Sequence, residues 1–154
     1  MSRRLRVLVL CTGNSARSQM AEAILRHVGK GALDVESAGT RPQPDIHPLA
    51  RRAARTLLDL EMDGQHPKTL DRFLGRHFDY VITVCDRAAE SCPVFPGAER
   101  IHWSCEDPAA VTGTNEEKQR AFDATAAQLL SRIRAWLSSP ALRTRLQSSA
   151  GAGR

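Results

Sequence analysis

The sequence has few aromatic residues and no long hydrophobic run, and these two shortages exclude several classes of protein. Only two Trp, one Tyr and four Phe occur in 154 residues, too few for the base-stacking surfaces of proteins that bind single-stranded nucleic acid. No apolar stretch approaches the roughly 18 residues of a membrane-spanning helix. Residues 1–4 lead directly into a predicted strand rather than into the apolar segment of a signal peptide. We therefore expect a cytoplasmic protein that binds neither nucleic acid nor membranes.

Cysteine is also scarce, with four residues in the chain. A chain of this size can bury a core without covalent staples, so four cysteines in the cytoplasm favour thiol chemistry or metal binding over a disulfide scaffold. A zinc site of Cys85, Cys92, His102 and Cys105 is disfavoured, because their spacing matches no zinc-binding motif. We expect no metal site and no cofactor. The net charge of +5 predicts a solvated surface that attracts oxyanions.

An apolar run at residues 7–10 ends on Cys11 and leads through a small polar loop into residues with helical spacing. A strand, loop and helix in this order point backbone N–H groups and the positive end of the helix dipole into one concavity, which binds anions. The same donors would stabilise a Cys11 thiolate, and the planar guanidinium of Arg17 matches a tetrahedral oxyanion. Gly13 permits a left-handed backbone and Asn14 tolerates one, while the Gly-Lys-Ser/Thr ending of an ATP-binding loop is absent. The sequence predicts Cys11 as a nucleophile, followed by an oxyanion loop of Thr12, Gly13, Asn14, Ser15, Ala16, Arg17 and Ser18.

Strands and helices alternate along the rest of the chain. After the first strand, the patterns predict strands at 34–38, 80–84 and 100–103, and helices at 17–29, 48–60, 69–74 and 116–137. This order predicts the α/β class, with a single doubly wound domain, a four-stranded parallel sheet and helices on both faces. We place this domain at residues 1–138 and a C-terminal tail at 139–154. In the tail, Pro140 interrupts the long helix, a short helix follows, and residues 148–154 are expected to fray.

Cys11 and Cys85 both lie at the carboxyl ends of predicted strands, where parallel sheets bind their ligands. The segment between Cys85 and Cys92 has helix-compatible composition, with Asp86 as the expected N-cap. Residues seven apart in a helix lie about 10.5 Å apart along its axis, whereas a disulfide requires Cα atoms within roughly 7 Å. A Cys85–Cys92 disulfide would therefore require the helix to unwind, which predicts a redox switch. Two incidental thiols remain the alternative.

Five short segments together carry a resemblance to a known family. They are residues 11–22, residues 37–39, the Cys85 and Cys92 pair with its following proline, residues 102–103 and residues 107–108. In this order and spacing, residues 5–137 resemble the thioredoxin-coupled arsenate reductases of the low-molecular-weight tyrosine phosphatase superfamily. The oxyanion loop alone indicates only the superfamily. The pair of later cysteines is what distinguishes a reductase from a phosphatase.

The resemblance implies that the chain reduces arsenate to arsenite. Cys11 would attack arsenate held by the loop and Arg17, with Ser18 donating to the thiolate and lowering its pKa. Cys85 would then attack Cys11 and release arsenite, and Cys92 would attack Cys85 to move the disulfide outward. Thioredoxin, or glutaredoxin, would restore the thiols. We expect the chain to act as a monomer.

The resemblance also assigns the general acid to Asp107, although an Asp-Pro pair without that context is more often the start of a turn. The neighbouring Glu106 is a competing carboxylate. Cys105 is an addition to the pattern, and we expect a small buried side chain there, with an off-pathway disulfide as the alternative. Ala16 stands where some relatives carry a further cysteine.

Some relatives bind potassium through positions matching Asn14, Glu22 and Ser37. This chain offers Lys68 near that place and no clear aspartate. The resemblance therefore implies that a lysine ammonium replaces the ion.

Two other functions remain open. A phosphatase acting on phosphotyrosine or small phosphoesters would use only Cys11, Arg17 and Asp107. Such enzymes usually carry aromatic residues beside the acid, and residues 108–113 contain none. A non-catalytic oxyanion-binding protein would keep the loop but would not need the two later thiols.

Overall fold

The computed structural model describes residues 4–152, with side chains described for residues 4–148, and has the predicted alternation of strands and helices. The four strands are β1 (Leu5–Cys11), β2 (Leu33–Gly39), β3 (Tyr80–Thr83) and β4 (Glu99–His102). The five helices are α1 (Arg17–Val28), α2 (Pro48–Leu58), α3 (Asp86–Ser91), α4 (Asn115–Leu137) and α5 (Pro140–Ala152). Short 3-10 turns occupy Leu70–Phe73 and Pro108–Ala110.

All strands of the sheet run parallel, in the order β2-β1-β3-β4. The chain adds β2 on one side of β1 and then crosses to place β3 on the other side, so the strand order reverses at the carboxyl end of β1. Helices α1, α2 and α4 contact one another, whereas α3 packs against β1 and β3. The predicted α/β class and parallel sheet are confirmed. Cys11 is the last residue of the central strand, at the place where such sheets bind ligands.

The core forms around β1 because that strand is covered on both faces. Residues 7–10, the Val-Leu-Val-Leu run, are fully buried, as expected for a strand of a parallel sheet. Helix α4 covers one side through Phe122, Ala126, Leu129 and Ile133, which recur every three or four residues and are all buried. The helix begins with a capping box between Thr114 and Glu117.

The C-terminal tail forms a helix that contacts the rest of the domain. Pro140 separates α4 from α5, and it occupies the first turn of α5, where its missing N–H is tolerated. Helix α5 extends to Ala152, and fraying from residue 148 stays a prediction. Two long-range contacts anchor this helix: Leu142 is 1 % exposed in the core, and Arg145 donates to Oδ1 of Asp79 at 2.8 Å. Residues 153–154 of the expected frayed end, and residues 1–3 before β1, lie outside the described residues.

Between residues 4 and 152, no helix is both long enough and apolar enough to cross a membrane.

Candidate active site

The oxyanion loop joins β1 to α1 and wraps around the sulfur of Cys11. The left-handed residue is Asn14, with φ of 47°, and its backbone N–H donates to Sγ of Cys11 at 3.2 Å. Gly39, at the end of β2, lies against the loop, and a Cβ added there would be 2.5 Å from the carbonyl oxygen of Thr12. Glycine is therefore required at Gly39 because the two backbones approach so closely.

The hydrogen bonds around Asn14 set the direction of the bond between Ser18 and Cys11. The backbone N–H of Lys68 donates to Oδ1 of Asn14 at 2.8 Å. The amide nitrogen of Asn14 therefore faces the other way, and donates to the hydroxyls of Ser18 at 2.7 Å and Ser37 at 2.9 Å. Since the Ser18 hydroxyl accepts from Asn14, its single hydrogen is left for Sγ of Cys11, 2.9 Å away.

Burial decides the direction in which the pKa of Cys11 moves. Burial raises the pKa of this thiol above its ordinary value, because the charged thiolate loses its hydration. The hydrogen bonds from Ser18 and Asn14 and the charge of Arg17 act in the lowering direction but do not outweigh burial. The donors expected from the sequence are present and act in the expected lowering direction, but the larger opposing effect of burial was not anticipated.

Arg17, the first residue of α1, connects the oxyanion loop to the segment that follows β4. Its Nη1 donates to the backbone carbonyl of Cys105 at 2.8 Å. The Cys105 side chain is buried, as expected for a small apolar residue, and burial raises the pKa of its thiol against the lowering effect of Arg17. This hydrogen bond ties the guanidinium to the segment that leads, two residues later, to the predicted acid, Asp107.

Cys85 lies beside the oxyanion loop, as the predicted sheet requires. Its Sγ is 3.3 Å from the hydroxyl of Thr12, and both Cys85 and Cys11 are buried free thiols. The same sulfur accepts from the backbone N–H of Ala88 at 3.4 Å and caps α3. The expectation that Asp86 caps this helix is wrong, because the Asp86 carboxylate instead accepts from His102 at 2.9 Å.

Cys92 caps the opposite end of α3 and is only partly buried. The intervening helix of six residues separates the two cysteines by roughly 10 Å along its axis. Burial raises the pKa of the Cys92 thiol, and the charge of Arg100 opposes this rise. As the sequence predicts, the helix would have to unwind before Cys85 and Cys92 bond.

Asp107 begins a turn beside the cavity above Cys11. Its Oδ1 accepts from the backbone N–H of Ala109 at 3.0 Å and begins a 3-10 turn. Its side chain also lines the cavity above Cys11, together with Arg17. The turn therefore presents the carboxylate to the cavity.

The cavity above Cys11 has a volume of about 880 Å³, and three arginines and two aspartates are among the residues that line it. Besides Arg17, its walls include the guanidinium groups of Arg41 and Arg87 and the imidazole of His47, while Phe, Tyr and Trp are missing from the described residues that line it. This composition suits a small charged oxyanion better than a phenyl ring.

His47 is a cavity residue that the sequence reasoning missed. Its Nδ1 accepts from the backbone N–H of Leu49 at 3.1 Å and caps α2, and its ring stacks on Phe122 at 4.5 Å. Burial lowers the pKa of His47, with the charge of Asp107 acting in the opposite direction. The one available signal is its place directly before Pro48, since proline commonly occupies the first position of a helix.

Behind the oxyanion loop, the lysine expected in place of an ion lies against a buried carboxylate. Nζ of Lys68 is 3.6 Å from Oε1 of Glu22, with the two side chains 6 % and 1 % exposed. Ser37 donates to the same carboxylate at 2.6 Å, and Arg26 lies 3.1 Å from its second oxygen. The ammonium of Lys68 thus supplies positive charge beside Glu22 at the place where a potassium ion would do so, and the residues fit the ammonium better than the ion. Among the described residues, no three His, Cys, Asp or Glu side chains converge as a metal site.

Comparison with known proteins finds similarity along most of the chain. The sequence model of the family described as low molecular weight phosphotyrosine protein phosphatase matches residues 6–148. The arsenate reductase of Halalkalibacterium halodurans is 39% identical over 117 residues, which are 75% of this chain and 83% of that protein. The arsenate reductase of Oceanobacillus iheyensis is 36% identical over 129 residues, 83% of this chain and 91% of that protein. A solved structure of a thioredoxin-dependent arsenate reductase from Corynebacterium glutamicum superposes with a TM-score of 0.63 at 30% identity, covering 87% of this chain and 64% of that chain.

Proposed function

The chain belongs to the low molecular weight phosphotyrosine protein phosphatase family, and within it we propose that the protein is a thioredoxin-dependent arsenate reductase. The observation that carries this proposal is the second thiol beside the oxyanion loop, with Sγ of Cys85 3.3 Å from the hydroxyl of Thr12. A phosphatase needs only water at this point of its reaction. A thiol at this position can attack the sulfur of Cys11 in place of the attack by water on the covalent intermediate.

In the first step, the Cys11 thiolate attacks the arsenic of a bound arsenate. Arg17 and the backbone N–H groups of the oxyanion loop bind the oxyanion. One arsenate oxygen leaves as water, taking its proton from Asp107, and a Cys11–arsenic bond forms with arsenic still pentavalent. Ser18 stabilises the attacking thiolate by donating its hydroxyl hydrogen.

In the second step, the Cys85 thiolate attacks the sulfur of Cys11. The sulfur–arsenic bond breaks, its electron pair stays on arsenic, and arsenite is released as a Cys11–Cys85 disulfide forms. The two electrons that reduce arsenic therefore come from the two sulfurs. The position of Cys85 next to Thr12, the residue after Cys11, supports this attack.

In the third step, the Cys92 thiolate attacks Cys85 and frees Cys11 as a thiolate. Because Cys92 is the more exposed of the two cysteines, we expect the resulting Cys85–Cys92 disulfide to be accessible to reduced thioredoxin, which exchanges its own dithiol for it. Glutaredoxin with glutathione is the alternative donor. Because the relay works only from free thiols, we propose that the protein acts in the reducing cytoplasm, as a monomer.

Phosphatase activity is a second candidate, supported by the family match and by the Cys11, Arg17 and Asp107 arrangement that phosphoester hydrolysis would also use. The missing aromatic wall in the described cavity lining favours small phosphoesters over phosphotyrosine. We propose it as a weak side activity. A purely oxyanion-binding role leaves Cys85 and Cys92 without a purpose.

The experiment that tests the proposal is an NADPH-coupled assay with arsenate, thioredoxin and thioredoxin reductase. We expect the wild-type protein to turn over repeatedly and Cys92→Ser to stop after a single turnover. Cys85→Ser should release no arsenite but should still hydrolyse para-nitrophenyl phosphate. Cys105→Ser is the matched control and keeps turnover. Undiminished cycling of Cys92→Ser would overturn the relay, and a parallel assay with glutathione and glutaredoxin identifies the donor.

A further inference from the structure

One imidazole ties the start of α3 to two strands of the sheet. Nε2 of His102 lies 2.9 Å from Oδ1 of Asp86, and Nδ1 lies 2.7 Å from the hydroxyl of Thr83. A carboxylate only accepts hydrogen bonds, so Nε2 carries a hydrogen, while Nδ1 lies within hydrogen-bond distance of both the hydroxyl of Thr83 and its backbone carbonyl, which is 3.1 Å away. The hydroxyl of Ser104 also donates to Oδ1 of Asp86, at 3.2 Å. His102 therefore bridges β3, β4 and α3.

The helix held in this way has few other attachments. It has six residues, of which only Ala88 is buried, and a helix this short has little stability of its own. Its cap is the sulfur of Cys85, which accepts from Ala88. Toward the other end, Nη2 of Arg100 donates to the carbonyl of Ala89 at 3.3 Å.

The sulfur of Cys85, which caps α3, takes part in the reaction, whereas the bridge between Asp86 and His102 does not. When Cys85 bonds to Cys11, its sulfur changes from a thiol or thiolate into half of a disulfide, which is a weaker acceptor for the Ala88 N–H. The Asp86–His102 bridge takes no part in sulfur exchange and stays intact. Together with the packing of Ala88, it then helps to keep the first turn of α3 wound and Cys92 away from Cys85.

We propose that His102 is a positioning residue that latches α3 through Asp86, and that the latch favours the dithiol form of Cys85 and Cys92 over their disulfide. This inference rests on the proposed function, because the third step of that relay is the one that needs α3 to unwind. In that step Cys92 attacks Cys85, the Cys11–Cys85 bond breaks, and Cys11 leaves as a thiolate. The latch resists this exchange and assists the return of the helix when the disulfide is reduced.

The test measures the redox equilibrium of the Cys85–Cys92 pair in full-length protein. In a Cys11→Ser background, His102→Leu and Asp86→Ala are each equilibrated in buffers of reduced and oxidised glutathione, and the disulfide is quantified by alkylation and peptide mass spectrometry. We expect each variant to shift the equilibrium toward the disulfide by about fivefold, the size of an exposed charged contact, which is about 20 mV for a two-electron couple. Amide hydrogen exchange in α3 should accelerate in parallel.

Two controls distinguish a latch from a general loss of structure. His27→Leu alters an exposed histidine at the far end of α1 and should leave the equilibrium unchanged. The His102→Leu, Asp86→Ala double variant should shift it no further than Asp86→Ala alone, because Asp86→Ala already removes the contact with His102, together with that of Ser104. If His102→Leu does not fold, Asp86→Ala removes the latch from the exposed side.

An unchanged equilibrium in the folded variants, a shift toward the dithiol, or additive effects in the double variant would each overturn the latch. Arsenate takes no part in this measurement. A chain that fails to reduce arsenate but shows the shift would therefore refute the proposed function and leave the latch standing.

Discussion

Replacing Ser18 with alanine tests whether the hydroxyl of Ser18 donates to Cys11. In the structure both side chains are buried, and Oγ of Ser18 lies 2.9 Å from Sγ of Cys11. Asn14 donates to that hydroxyl at 2.7 Å, which leaves the hydroxyl hydrogen to Cys11. The variant would remove one donor from the thiolate and leave an amide hydrogen of Asn14 without an acceptor.

The magnitude follows from the cost of losing a hydrogen bond to a charged group, about 1.5–3 kcal/mol. One pH unit corresponds to about 1.4 kcal/mol, so the pKa of Cys11, already raised by burial, should rise by about one to two more. The thiolate is the reactive form, and near neutral pH its population should fall about tenfold to a hundredfold. Arsenate reduction should fall by the same factor and recover as the pH is raised.

The assay follows the alkylation of Cys11 by iodoacetamide across a pH series, with the modified peptide identified by mass spectrometry. Ser15→Ala is the matched control, since its hydroxyl donates to the carbonyl of Asp45 and the residue lies in the same loop. An alkylation profile for Ser18→Ala that coincides with wild type would refute the direction of this hydrogen bond and the network argument behind it.

Two stability predictions follow from buried or long-range charge contacts. Lys68→Met leaves the carboxylate of Glu22 with Arg26 as its remaining cation, and we expect urea denaturation to show a loss of about 3 kcal/mol in the free energy of unfolding. The control Lys30→Met, at an exposed position, should change this free energy little. Equal stability of the two variants would contradict a stabilising role of the Lys68–Glu22 pair. Arg145→Met removes the contact between Arg145 of α5 and Asp79, and we expect a loss of about 2 kcal/mol in the free energy of unfolding and faster amide hydrogen exchange in α5. The control Arg143→Met, exposed in the same helix, should leave both quantities unchanged. Unaltered exchange in Arg145→Met would show that other contacts hold the helix.

The features predicted correctly from the sequence depend on local spacing or on the geometry of a parallel sheet. Cys11 and Arg17 are joined by one loop, so their spacing was enough to bring them together. Cys85 is distant in sequence, but the carboxyl ends of neighbouring parallel strands meet at one edge. The alternation of strands and helices therefore also placed Cys85 beside the loop.

The features missed depend on contacts between distant segments or on the degree of burial. Asp86 does not cap α3 because His102, sixteen residues later, takes its carboxylate. The contact between Arg145 of α5 and Asp79 was not predicted, because nothing in the sequence of α5 indicates its distant partner. The effect of burial on the pKa of Cys11 was missed because packing, which spacing does not reveal, excludes water from the sulfur.

The aromatic packing near the end of β4 gives the protein an internal optical probe. Trp103 and Trp136 are its two tryptophans, and their rings pack edge to face at 6.0 Å, with Tyr80 5.1 Å from Trp136. Ultraviolet emission of the folded chain therefore originates from one location rather than from an average over the molecule. Trp103 is two residues before the carbonyl that accepts from Arg17, so titration with a non-absorbing oxyanion can be followed there without an attached dye.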